Sequence, residues 1–493
     1  VNKIIPMKRQ TILNKPNSTS IRSNSSETGK TGLIQWVIIL LIAIVVTALS
    51  SQPSLAQQQD LFQILEQSKH NYPLIKAKQA EVHSAERKVQ SAKSEYLPNL
   101  TVQDQYTYGT SNSVTGAYFP NEGTALSPSG GIRPDNIYQA TFGSFTSALM
   151  EWKVINFGKV AANVQTARNE RNKTQADYEN ELFQHQVRVA DAYLLTLISQ
   201  KLVDIQRNNV ERTRTVKGVV EAGVVSGMRP GVDSSLANAE YTKAQLLLLE
   251  SERNEKAQRL RLSELTGILQ DSIQVDSMAF YTQLPAQLLS VQANENNPVL
   301  RLYNSQIRVS EARSVAIRRS FLPSVSLIAA GWARGSGISN QDDSYHTDMA
   351  SGFKYQVYNY MFGISTRWNL TSFFRIHNDF RSEQFQAQRY KELYNQQSLA
   401  ISRQLKEAQM QVQLSLEQAR LAPVQLEAAR AAYNQSRSRY QSGLADLPTF
   451  IQSFFALNRA EVDRIVANSS AWRSVLLQAA AAGDLSLFLN QVK

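Results

Sequence analysis

No cysteine occurs among the 493 residues, which excludes disulfides, thiolate metal sites, a catalytic thiol and a lipidated cysteine. Histidine is nearly as scarce. The five (His70, His83, His185, His346, His377) are dispersed, and none stands in a His-Glu-x-x-His arrangement, so metal-assisted or histidine-based chemistry has no motif to rest on. Gly29-Lys30-Thr31 resembles the end of a phosphate-binding loop, but Asn24 occupies the position where such a loop needs glycine. Asp342-Asp343 reads as a solvated loop tip. The expectation is therefore no catalytic residue, no metal, no cofactor and no enzymatic activity. Glycine (21) and proline (14) are also few, and the Gln/Ala/Ser/Arg/Leu-rich remainder points to long helices rather than many short elements.

Long hydrophobic runs are limited to one, Leu33 to Leu49, preceded by Lys8, Arg9, Arg22 and Lys30 and followed by Ser54-Leu55-Ala56. Basic region, apolar core and small-x-small site together predict a secretory signal peptide over residues 1–56, cleaved after Ala56; the competing reading is an uncleaved anchor. The formal charge of +11 is partly the property of this segment, which holds six Lys/Arg against one Asp/Glu. No basic cluster with interleaved aromatics follows, so nucleic acid is not an expected partner. No later stretch is long and apolar enough for a transmembrane helix. Membrane insertion, if it occurs, must use a barrel.

What is present is a repetition. Asn71 to Leu100 and Asn296 to Val325 align without a gap, sharing Asn71/Asn296, Pro73/Pro298, Glu86/Glu311, Leu97/Leu322 and Pro98/Pro323. Each copy reads as a helix opened by proline in its first turn and closed before Leu-Pro. Periodicity then changes to two, predicting strands at about 98–112 and 137–152 in the first half and about 323–334 and 353–371 in the second, joined by loops rich in Gly, Ser and Asn. In the last strand Tyr358, Tyr360, Phe362, Ile364, Thr366 and Trp368 share one face. Trp152 and Trp368 close the strands, and helical spacing resumes for about 60 residues from Phe157 to Gly218 and somewhat more from Phe374 to Ser442, with a kink expected at Pro423. Glycine-marked turns at 221–233 and 441–446 return a helix of about 35 residues in each half. The organisation is thus 57–290 and 291–493, two structural repeats.

These features together, namely the N-x-P opening, the Leu-Pro strand entry, the exit Trp152 to Lys159, the glycine-marked turns and the duplication, resemble the TolC-type outer-membrane efflux protein family. The resemblance runs from about residue 58 to 485. It implies a mainly α fold with membrane β: tandem helical hairpins forming an α-barrel, and four strands per chain contributing to a trimeric twelve-stranded transmembrane β-barrel. Four strands are by themselves too few to close a barrel, whose smallest members have about eight, so partner chains are needed to cover the sheet edges. Family members are exit ducts of tripartite efflux or type I secretion systems in the outer membrane of diderm bacteria. The partners implied are two further copies, a periplasmic membrane-fusion adaptor, an inner-membrane pump of ABC, RND or MFS type, and outer-membrane lipid. The rival reading is a periplasmic coiled-coil adaptor or scaffold without a pore.

By the same resemblance the helical turns form the periplasmic end, where the pore closes and the adaptor docks. Gly223 and Gly443 match the turn glycines, with Val224 and Leu444 beside them as adaptor-docking positions. Tyr440 matches a family tyrosine that hydrogen-bonds to an aspartate of the first turn, here Asp233, although the first turn is expected to be about four residues longer than usual. The family's gate arginine and acidic ring are replaced here by Ala445, Thr449 and Gln452, which leaves Arg229 and Asp446 as candidate substitutes. Trp152, Trp368, Tyr358 and Tyr360 suit a membrane-interface girdle.

Overall fold

Proline and glycine mark the element boundaries along this chain. The computed structural model describes residues 60–110, 118–119, 125–126, 135–267, 296–339 and 341–492, together with parts of 273–287. The expected signal peptide, the Gly29-Lys30-Thr31 motif and most of the first long loop lie outside the described residues. In the first repeat, α1 (Leu61–Asn71) leads into α2 (Pro73–Ser94), β1 (Asn99–Gly109), β2 (Thr141–Ile155), α3 (Lys159–Val225) and α4 (Gly231–Thr266). The second repeat has α5 (Pro298–Ser320), β3 (Ser324–Ser336), the short α6 (Met349–Phe353), β4 (Val357–Arg367), α7 (Ser372–Gln441), α8 (Leu447–Ala482) and α9 (Ser486–Leu489).

Helix α3 runs seven residues beyond Gly218. A glycine inside a helix costs about 1 kcal/mol, but the added turns bury Val220 against the second hairpin, which offsets it. Helix α7 likewise runs through Pro423 without a break. At 67 residues, α3 is about 100 Å long at 1.5 Å per residue.

The repeated N-x-P motif has a repeated counterpart. Helices α4 and α8 both end on a left-handed glycine, Gly267 (φ 76°) and Gly483 (φ 80°). A Cβ on Gly267 would lie 2.6 Å from the Asn71 backbone, and one on Gly483 would lie 2.6 Å from the Asn297 side chain. In each repeat, therefore, the end of the returning helix is seated on the corner where the N-x-P helix begins. Only glycine permits both the positive φ and the close approach. Asn297 also caps α5 by accepting from Val299 N at 3.0 Å.

The main core lies at this level. Leu61 and Ile64 of α1, Tyr193 and Leu197 of α3, Leu262 of α4, Val412 and Leu416 of α7, and Trp472 and Leu476 of α8 form one cluster. Trp472 is fixed by donating from Nε1 to Phe280 O at 3.0 Å and by edge-on packing with Phe280 and Phe488. Asp191 accepts from Arg473 at 2.7 Å beside it.

The four strands form one antiparallel sheet in the order β1-β2-β3-β4, with β2–β3 joining the two repeats. The register places Leu100, Val102, Tyr106, Tyr108, Trp152, Leu327, Tyr358, Tyr360, Phe362 and Ile364 on one face. The opposite face carries Thr101, Gln103, Gln105, Thr107, Glu151, Ser147, Arg334 and Arg367. Asp104 is the one charged residue on the apolar face, and Thr146 donates to it at 2.5 Å while sharing a hydrogen bond with the Tyr355 hydroxyl. Helix α6 folds back over the same face, packing Phe353 on Tyr106 (4.6 Å) and Phe142 (5.5 Å). No helix among the described residues is long and apolar enough to cross a membrane.

Candidate functional site: the hairpin tips and the membrane sheet

At the far end of the hairpins two turns lie side by side. Each has five residues between helices, 226–230 and 442–446, and each places a glycine at its second position with φ near 74°: Gly227 and Gly443. The expected four-residue insertion is not there. The two tips superpose residue for residue at a separation of 216 positions, the same separation as Trp152 and Trp368. The left-handed glycine of the first turn is accordingly Gly227, four residues beyond the expected Gly223.

Gly223 has a different task. It is buried inside α3, and a Cβ there would come within 2.9 Å of Arg229 Cδ. The missing side chain makes a berth for the aliphatic stem of Arg229, which then reaches the second hairpin. The Arg229 guanidinium lies 3.8 Å from the Tyr440 ring centroid, and Nη2 donates to Tyr440 O at 3.1 Å. Tyr440 in turn stacks on Phe450 at 5.2 Å and 9°, and Phe450 on Tyr433 at 5.7 Å. This aromatic stack, with Val220, Ala237, Leu447 and Phe454, forms a second core at the tips. A crevice of about 260 Å³ opens beside it, lined by Arg212, Val219, Arg437 and Tyr440 among others.

Of the residues named from the sequence, the structure brings Arg229 and Tyr440 together and sets Asp233 near them. Tyr440 is 2% exposed, yet its hydroxyl has no hydrogen-bond partner, so the tyrosine–aspartate bond implied by the resemblance is not made. Burial pushes the Tyr440 phenol up; the charge of Arg229 opposes this and that of Asp233 adds to it. Asp446 is elsewhere engaged. It caps α8 by accepting from Thr449 N at 3.1 Å, and those bonds from Thr449 hold its carboxyl below the usual range. Val224 packs inward on the tip core, whereas Leu444 is 70% exposed, beside the exposed Val225 and Met228 of the first turn.

A further tie escaped sequence reasoning. Arg212 of α3 grips Glu461 of α8 with two hydrogen bonds of 2.8 and 2.6 Å while lying over the Phe454 ring. Bidentate geometry fixes the hairpins against each other above the turns. Nothing in the local pattern marks either residue, because the pairing spans 249 positions.

At the other end, the two tryptophans occupy equivalent places. Trp152 Nε1 donates to Tyr96 O at 2.9 Å, and Trp368 Nε1 donates to Phe321 O at 3.1 Å. Both acceptors stand two residues before the Leu-Pro prolines. Each indole thus pins the strand exit to the end of the helix that enters the sheet. Tyr358 and Tyr360 stand largely exposed on the apolar sheet face.

A sheet with one aromatic face, carried on helical hairpins about 100 Å long, defines a membrane-channel architecture with a long periplasmic or equivalent extension. The outer membrane efflux protein family model matches residues 64–268 and 289–474, and the chain belongs to that family. None of the curated proteins matches it in sequence. Among solved structures it is similar to CusC, described in a study of folding and transmembrane channel formation (TM-score 0.71, 14% identity, covering 87% of this chain and 96% of that one). It is also similar to the outer membrane protein VceC of Vibrio cholerae (0.69, 14%, 86% and 96%) and the CmeC outer membrane channel of Campylobacter jejuni (0.64, 13%, 88% and 89%). At such identities the likeness speaks for the fold. Together with the family it makes the chain an outer membrane efflux channel protein of mainly helical fold with a four-strand β contribution.

Proposed function

We propose that three copies of this chain assemble into the passive exit duct of a tripartite efflux or type I secretion system, coupled through a periplasmic adaptor to an inner-membrane pump. The observation that carries this reading is the sheet. Its apolar face suits lipid, its polar face suits a water-filled lumen, and its edges β1 and β4 are unpaired within the chain. Exposed strand edges are not tolerated in hydrocarbon, so further copies must close the barrel. No energy source is assigned to the chain, and the pump supplies it.

The tips are the proposed periplasmic gate and docking end. Arg229, seated on Tyr440, takes the place of the gate arginine that the family carries in its second turn, and Asp446 serves as a helix cap. The exposed Val225, Met228 and Leu444 offer the adaptor an apolar patch, with Gly227 and Gly443 letting it approach the backbone. In this reading Trp152, Trp368, Tyr358 and Tyr360 lie at the lipid boundary. Purified protein is expected to be trimeric by light scattering in detergent and to conduct ions in a planar bilayer. A monomer without conductance, or one fractionating with the soluble periplasm, overturns the proposal in favour of an adaptor or scaffold.

A further inference from the structure

Within the chain, α5 lies against one side of α3 in a defined register. Arg313 donates to Glu170 at 2.5 Å, Arg301 pairs with Glu179 at 2.6 Å, Asn169 Nδ2 donates to Arg308 O at 3.2 Å, and Arg319 Nη1 donates to Phe157 O at 3.2 Å. Because the repeat is gapless, each of these helices has a counterpart. Helix α5 corresponds to α2, as Pro298 does to Pro73, and α7 corresponds to α3, as Trp368 does to Trp152 and Gly443 to Gly227. The side of α7 that corresponds to the α5-binding side of α3 is unoccupied. Phe385, which stands where α3 has Asn169, is 68% exposed, and Phe374 and Leu399 are 74% and 73% exposed. Their spacings of 11 and 14 residues are near whole numbers of helical turns, so the three share one line along the helix. The outer side of α2, with Lys76, His83 and Lys88, is open as well. Directly beyond these two helix sides lie the two unpaired sheet edges, β1 following α2 and β4 preceding α7.

We propose that α7 of one copy receives α2 of a second copy in the register in which α3 receives α5 within the chain. This rests on the oligomeric channel reading and adds to it the register and the chemistry of the seam. Lys88 of the second copy faces Gln386, Lys76 of the second copy faces Asn395, and Phe385 covers the backbone at His83 of the second copy. The basic residues of the internal bridges are kept, as lysines, while the acids Glu170 and Glu179 have become Gln386 and Asn395. The seam inside the chain is therefore ion-paired at these positions, and the seam between copies is apolar and amide-based there. Folding can bring charges together once and keep them, whereas association between copies would have to desolvate them each time.

The absence of cysteine makes the test clean, since only introduced thiols react. Lys88→Cys with Gln386→Cys, both at exposed positions, treated with a short bismaleimide in detergent, is expected to carry most of the chain into covalent dimers and trimers on a denaturing gel. Lys88→Cys with Gln397→Cys, three turns further along α7, is expected to stay unlinked. Linking by the second pair and not the first overturns the register while leaving the trimer in place. Failure of both pairs in a protein that is trimeric by light scattering also overturns it. A protein that is monomeric throughout overturns the channel reading too. As a second readout, Gln386→Glu with Asn395→Glu completes the two missing bridges and is expected to raise the temperature of trimer dissociation at low salt, a gain that vanishes at about 1 M salt. No gain at low salt counts against the register.

Discussion

Replacing Arg229 by alanine tests the tips most directly. The guanidinium sits 3.8 Å from the Tyr440 ring centroid and donates to the Tyr440 carbonyl at 3.1 Å. A half-buried cation–π contact contributes about 1 kcal/mol, and a hydrogen bond from a charged donor contributes about 1.5 kcal/mol before solvent competition. Taken together and reduced for partial exposure, the tie is worth about 2 kcal/mol, or roughly thirty-fold in an equilibrium. If this contact holds the two tips together only in the closed duct, a channel open about 1% of the time would be open about a fifth of the time in Arg229→Ala. Single-channel recording in a planar bilayer measures that fraction. Arg229→Lys, which keeps the charge but loses the planar stacking group, is expected to fall between the two. Gly223→Ala, which fills the berth of the arginine stem, is expected to behave like Arg229→Ala although it improves helix propensity. An open fraction unchanged in both Arg229→Ala and Gly223→Ala would refute the latch.

Three further outcomes are expected. Tyr440→Phe leaves conductance unchanged and raises stability by about 1 kcal/mol, because it removes a buried hydroxyl without a partner; denaturant titration reads the gain. His185 is buried and stacked on Tyr72 at 4.0 Å, and its folded pKa is lowered chiefly by burial and also by Arg188. The unfolded state therefore binds its proton first. Stability from this group is present above about pH 6.5 and lost as pH falls below it, so the melting temperature should drop more on acidification in the native protein than in His185→Gln. Trp472→Ala, which empties the centre of the main core and orphans the Phe280 carbonyl, should cost about 3–5 kcal/mol in denaturant titration.

Much of the architecture was legible because it is written in local signals. Proline at a helix start and Leu-Pro at its end act within one or two residues, so the handover to β1 and β3 falls at Asn99 and Ser324, next to Pro98 and Pro323. Period-two alternation likewise sorted Tyr358, Tyr360, Phe362 and Ile364 onto one face. The tips were read less well. Gly223 looked like the turn glycine because glycine is a turn signal, but a helix can carry a glycine when burial and a neighbouring side chain make use of the vacancy. Gly227, the glycine with the left-handed backbone, stands in the same position as Gly443 once the first turn is counted without an insertion.

The sequence by itself determined the duplication, the order helix, strand, loop, strand, helix hairpin in each half, and the need for partner chains, since each follows from spacing and from the number of strands. Tertiary structure alone decided what the spaced residues meet. Arg229 reaches Tyr440 across 211 positions and Arg212 reaches Glu461 across 249. The same holds where Gly267 and Gly483 seat their helices on the N-x-P corners. Such contacts depend on which helix faces are brought together, and a helical repeat of 3.6 residues fixes a face without naming its neighbour.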